Sequence, residues 1–134
     1  AQGVGVAQGA LELAIAYVKK RKAFGGTLSR LQGIQFVIAE MATRIEAARG
    51  LYWRAAYTVD KGSPDSALIS MAKWNAGDTA VEVVNKALQL HGGYGYIAEY
   101  DIQRFYRDAK IVEIYEGSKE VEKAIIGSEL LKRA

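Results

Sequence analysis

The chain has 134 residues, half of them apolar and a quarter charged, which is long enough to bury a core and short enough to be one domain. It holds no cysteine and a single histidine, His91, so disulfides, cysteine-based metal sites and histidine-rich metal sites are excluded. A net charge of +3 and one short basic run, Lys19-Lys20-Arg21-Lys22, do not make a nucleic-acid-binding face, and no apolar run approaches the ~20 residues that cross a bilayer.

From the start, Val4, Ala7, Leu11, Ala14 and Val18 recur at spacings of three and four, which predicts a first helix ending near Phe24, where Gly25-Gly26 stops it. Ser29 with Gln32 three residues on predicts a capping box for a second helix. Along it Leu31, Ile34, Ile38, Met41, Ile45, Ala48, Tyr52, Ala55 and Val59 keep the helical spacing. Gly62 suits the end of that helix, Ser63 the next N-cap and Pro64 the first helical position. The third helix is expected to run to about Leu90 with Leu68, Ala72, Ala76, Thr79, Val83, Ala87 and Leu90 inward.

After Gly92-Gly93-Tyr94-Gly95 a shorter helix is expected from Asp101 to Lys110, with Ile102, Phe105 and Ala109 inward. A last one begins near Ser118 and carries Val121, Ile125 and Leu131. No segment alternates like a strand. Short connections force sequential helices to lie antiparallel, so the expected fold is all-α: an up-and-down four-helix-type bundle with an extra short helix, residues 1–134 forming one domain. Starting inside a helix without an initiator Met, the chain reads as a fragment of a longer protein.

The chemistry concentrates at Ile114-Tyr115-Glu116-Gly117-Ser118, which sets one carboxylate between apolar neighbours and a glycine turn. Desolvation beside Ile114 and Tyr115 disfavours the charged carboxylate and strengthens it as a base near neutral pH; the alternative is a solvated Glu complementing the dipole of the next helix. Alternatives of the same plain kind exist elsewhere. Arg21 suits a salt bridge and Gln32 a capping box, Gln89, Gly92 and Gly93 suit a helix end and tight turn, Tyr115 suits a core aromatic, and Arg107 and Asp108 suit an ion pair.

Together, Arg21-Lys22-Ala23-Phe24-Gly25 with Gln32, Gln89-Leu90-His91-Gly92-Gly93-Tyr94-Gly95, Arg107-Asp108-Ala109-Lys110 and Ile114-Tyr115-Glu116-Gly117-Ser118 occur in an order and spacing that resembles the C-terminal helical domain of the acyl-CoA dehydrogenases over essentially the whole chain. The resemblance implies that Glu116 is the catalytic base. In such enzymes it removes the pro-R α-proton of an acyl-CoA thioester while the β-carbon delivers a hydride to flavin N5, giving the trans-2-enoyl-CoA of fatty-acid β-oxidation. Tyr115 and Gly117 would line the substrate.

Arg21 would contact the FAD pyrophosphate, with Phe24 and Gln32 near the cofactor, Gln89, Gly92 and Gly93 at its adenosine diphosphate part, and Ser118 beside it as well. The Arg21 and double-glycine groups would reach the FAD of a neighbouring subunit while Glu116 and Ser118 face their own, which implies a homodimer or tetramer. An electron acceptor such as an electron-transfer flavoprotein, and a cytoplasmic (bacterial) or mitochondrial-matrix (eukaryotic) location, follow from the same resemblance.

The family's amino-terminal and β-domains lie outside this chain, so the fragment alone is expected to be inactive. Where the family commonly has Thr-Ser then Gln or Glu after the catalytic Glu-Gly, this chain has Ser118-Lys119-Glu120, which puts a second carboxylate one turn from the base. Ser118 in place of an Asp favours a dehydrogenase over the related acyl-CoA oxidases. The alternative of another class is a non-enzymatic helical assembly module.

Overall fold

The computed structural model describes residues 1–133. Among them five α-helices form: α1 (Gln2–Lys20), α2 (Gln32–Asp60), α3 (Ser66–His91), α4 (Ile102–Val112) and α5 (Lys119–Arg133). Two-residue antiparallel strands, β1 (Lys22–Ala23) and β2 (Gly26–Thr27), and two 3₁₀ turns, Leu28–Arg30 and Gly92–Tyr96, connect them.

The centre is α3, which packs against the other four helices. Its inward face is narrow and small, Ala72, Ala76, Gly77, Ala80, Val83, Val84 and Ala87, so neighbouring backbones approach closely. A Cβ on Gly3 of α1 would stand 2.5 Å from the Ala76 carbonyl oxygen, so only glycine lets the two helices meet there. Met41 and Ile45 from α2, Ile102 from α4 and Val4 and Val18 from α1 fill the remaining space without exposure to solvent worth counting.

Contacts fix the directions. Gly3 lies beside Ala76 and Tyr17 stacks on His91, so α1 and α3 run parallel. Arg44 pairs with Glu82 and Glu40 with Lys86, so α2 runs against α3. Phe105 packs on Gly9 and Val112 reaches Gly77, which brings α4 back down. The first four helices therefore alternate as the short connections predict. The extra helix α5 continues in the direction of α4 along the N-terminal half of α3, tied by Lys119 to Asp78 at one end and by Arg133 to Asp65 (2.7 Å) at the other.

Several ends differ from the sequence expectation. Helix α1 stops at Lys20 and not near Phe24, because Arg21 is extended (φ −68°, ψ 122°) and the chain turns back as a hairpin. Phe24 (φ 53°) and Gly25 (φ 81°) are its two loop residues, both left-handed as a type I′ turn requires. The Ser29–Gln32 capping box does not form: Ser29 lies in the 3₁₀ turn with its hydroxyl 3.1 Å from that of Thr27, and Leu31 occupies the N-cap of α2. Asp65, not Ser63, caps α3, its carboxylate accepting from the Leu68 N–H at 3.0 Å. On α5 the expected inward residues Val121, Ile125 and Leu131 are exposed, and the residue that is buried is Glu122.

Candidate functional site

At the C-terminal ends of α1 and α3 a groove of about 560 Å³ is lined by Arg21, Phe24, Gln89, Gly92, Gly93 and Tyr94, among others. Five residues singled out by sequence therefore meet there, although they come from two helix ends and a hairpin. Each is placed by a local cause. The hairpin projects Phe24, which is 88% exposed, and Gly92 (φ 59°) ends α3 in a conformation that leaves its backbone and that of Gly93 open.

Arg21 follows directly on α1 and its guanidinium lies 5.0 Å from the centre of the Tyr94 ring, a cation held against an aromatic face. No carboxylate among the described residues forms an ion pair with it, so the salt-bridge alternative for Arg21 is not realised. Beneath it the buried His91 stacks on Tyr17 at 4.3 Å, and its Nδ1 lies 2.8 Å from the Ala87 carbonyl. A carbonyl only accepts, so Nδ1 carries the proton and donates. Gln32, by contrast, is exposed at the first position of α2 and does not line this groove.

A second groove, about 680 Å³, opens at the other end of the bundle. Tyr52, Ala55, Val59, Ile69, Ala72 and Ala76 make its wall largely apolar, and Lys73, Tyr115 and Glu116 stand at its edge. Glu116 sits in the turn between α4 and α5 with φ 56°, followed by Gly117 at φ 111°. For a residue with a side chain, left-handed backbone costs about 1–2 kcal/mol and persists only where surrounding contacts impose it.

Those contacts are explicit. The Lys73 ammonium on α3 donates to the carbonyl oxygens of Val112 (2.9 Å) and Gly117 (2.5 Å), one on each side of the turn. Glu113 is buried and pairs with Lys110 and, at 2.7 Å, with Lys119, which also pairs with Asp78 of α3. Burial pushes the Glu113 carboxyl up, but hydrogen bonds and charge from Lys110 and Lys119 outweigh it and hold it below the ordinary carboxylate range. Lys119 is raised, first by its hydrogen bond to Asp78 and then by that to Glu113. Tyr115 donates its hydroxyl to Gln2 at the start of α1.

The Glu116 carboxylate itself is exposed. Ile114, expected to shield it, faces outward at 55% exposure, and Tyr115 is only half-buried. Neighbours in this chain therefore do not desolvate the carboxylate, and any shielding has to come from outside it. Glu120, one turn on, is held below the ordinary carboxylate range by its own backbone N–H and then by the Ser118 hydroxyl. Its charge is thus engaged at the start of α5, and so is the hydroxyl of Ser118, which lines neither groove. Of the residues at this end the sequence reading overlooked Lys73. The available signal was a lysine beside the inward Ala72 and three residues before the inward Ala76, at the border of the buried face.

Arg107 and Asp108 are both exposed, and neither forms an ion pair among the described residues. No group of three or more metal-binding side chains gathers among the described residues, and no described helix is long and apolar enough to cross a membrane.

The sequence profile of the acyl-CoA dehydrogenase C-terminal domain matches residues 1–131. Over 133 residues the chain is 50% identical to the acryloyl-CoA reductase (NADH) of Anaerotignum propionicum, covering 99% of this chain and 34% of that protein. With the caffeyl-CoA reductase-Etf complex subunit CarC of Acetobacterium woodii it shares 47% identity over 132 residues, 98% of this chain and 35% of the other. The solved structure of butyryl-CoA dehydrogenase from Megasphaera elsdenii superposes with a TM-score of 0.95 at 44% identity, covering 97% of this chain and 34% of that one. The chain thus spans about a third of the length of these relatives.

Proposed function

The chain belongs to the acyl-CoA dehydrogenase family as its C-terminal helical domain, and on that premise we propose that the whole protein converts a saturated acyl-CoA to its trans-2-enoyl product with Glu116 as the base. The observation that carries this reading is the placement of Glu116: a carboxylate set at the edge of an apolar groove, in a strained backbone conformation that several contacts impose. Tyr115 lines this groove beside Glu116 and would flank the substrate, whereas Gly117 follows Glu116 in the turn without lining the groove. The thioester's α-proton leaves to the Glu116 carboxylate, which gains strength as substrate and the rest of the protein exclude water from it.

The groove of Arg21 fits the phosphate-bearing part of FAD. It offers a guanidinium that pairs with no carboxylate among the described residues, the side-chain amide of Gln89 and the open backbone of Gly92 and Gly93, a donor set suited to phosphate and ribose oxygens, with Phe24 at the rim. When bound, FAD supplies the two-electron acceptor for the β-hydride. Gln32 and Ser118, which line neither groove, would contact it only through an assembly larger than this chain. The separation of the two grooves supports such an assembly, a homodimer or tetramer in which Arg21, Gln89, Gly92 and Gly93 serve the flavin of a neighbouring subunit. An electron-transfer flavoprotein as acceptor is supported by the relative named as a subunit of an Etf complex.

A second reading is the same chemistry run in reverse, favoured by the 50%-identical relative named as an acryloyl-CoA reductase. Protonated Glu116 would then return a proton to the α-carbon of an enoyl-CoA, as microscopic reversibility requires. In the full-length protein, Glu116→Gln is expected to lower turnover by about 10³-fold in either direction with flavin still bound. Turnover close to that of the parent, or loss of flavin together with activity, would remove Glu116 from the role. Comparing flavin bleaching by a saturated acyl-CoA with reoxidation by its enoyl-CoA settles the physiological direction.

A further inference from the structure

We infer that Lys73 is a positioning residue for Glu116, an inference that rests on the reading of Glu116 as base. The turn from α4 to α5 leaves carbonyls without helical partners, and those of Val112 and Gly117 converge on one ammonium from residues 39 and 44 positions away in sequence. An ammonium has three donors in no fixed plane, which suits two carbonyls that belong to different segments. Lys73 is half-buried in the N-terminal half of α3, the helix that packs against the other four, and lines the same groove as Glu116.

Around this pin the turn closes on itself. Glu113 and Lys119 pair across its neck at 2.7 Å, and Asp78, five residues along α3 from Lys73, ties Lys119 to the same helix. Glu116 occupies the span between, at φ 56°. With Lys73 gone, one side of the span is free, the left-handed residue relaxes toward ordinary backbone, and the carboxylate moves away from the position the groove defines. Substrate still enters the groove, since its apolar wall comes from α2 and α3, but the base no longer meets the α-carbon squarely.

The test is made in the full-length flavoprotein with Lys73→Met, Lys73→Arg and Glu116→Gln side by side, using an acyl-CoA and its α-deuterated form. Lys73→Met is expected to lower kcat by about 10²-fold, the scale of a displacement near 1 Å, with KM and bound flavin unchanged and a larger α-deuterium isotope effect. Lys73→Arg, which keeps a cation with several donors, is expected to recover most of the loss. If Lys73→Met does not fold, Lys73→Gln, which keeps one donor group, is measured in the same way.

An unchanged kcat and isotope effect in Lys73→Met, with Glu116→Gln inactive, overturns the inference and leaves the base assignment intact. Full activity of Glu116→Gln overturns both. Parallel loss of flavin and melting temperature in Lys73→Met and Lys73→Arg, with no change in isotope effect, assigns Lys73 to folding alone and overturns the inference as well.

Discussion

Gly117 shows how a single residue couples the turn to its surroundings. At φ 111° it takes backbone that side chains rarely adopt, and the space where a Cβ would stand is filled by the carboxylate of Glu122. The family resemblance implies a place for this glycine at the substrate, and on its Cβ side the nearest group is a side chain of α5. Gly117→Ala should therefore destabilise the protein by about 1–3 kcal/mol and displace Glu116 with it. Thermal unfolding of the full-length variant checks this, and a melting temperature equal to that of the parent would count against it. The turn at Glu116-Gly117 was legible because a glycine and its immediate neighbours carry the signal. Lys73 was not, because its meaning lies in two carbonyls far along the chain.

Among the elements, long helices were legible and their ends were not. Periodicity over 26 residues of α3 averages out local ambiguity, and all seven expected inward residues are buried. A hairpin of two-residue strands has no room for alternation to show, so the path from Arg21 to Thr27 was read as the end of a helix and a stop. Caps depend on which side chain reaches a free N–H, and Asp65 does so where Ser63 was expected.

The ion pairs at the start of α5 carry a pH dependence whose sign follows from their shifts. Glu113 is depressed in the folded state, so its contribution is full above its unfolded value, ordinarily about 4.3, and is lost as pH falls through the lower folded value. Lys119 is raised, so its contribution is full below about 10.4 and is lost as pH rises through the higher folded value. Melting temperature should thus hold between these limits and fall below about pH 4. In Glu113→Gln the acid fall should be shallower, and an acid profile identical to the parent's would show that Glu113 does not link the turn to pH.

For the whole molecule, apolar spacing and short connections identified a helical bundle, since burying one stripe per helix leaves few other arrangements. Spacing marks an apolar face without saying whether its cover lies in the same chain. Phe36, Trp53 and Tyr57 on α2 and Leu131 on α5 remain at least 58% exposed, while the relatives are about three times as long. The direction of α5 escaped sequence for a related reason, because the turn before it is held by partners distant in sequence, Lys73 and Asp78 of α3.

The distance between the two grooves has its own consequence. At about 1.5 Å per residue, Ala72 and Gln89 on α3 stand roughly 25 Å apart along the axis, one at each groove. If each flavin draws on opposite ends of two copies, damage at the two ends is separable by partnership. Hybrids made by co-refolding full-length Arg21→Ala and Glu116→Gln chains, each silent alone, should regain activity, since a carboxylate from the first and a guanidinium from the second then meet at a common centre. No regain in verified hybrids would mean that every copy works with its own residues only.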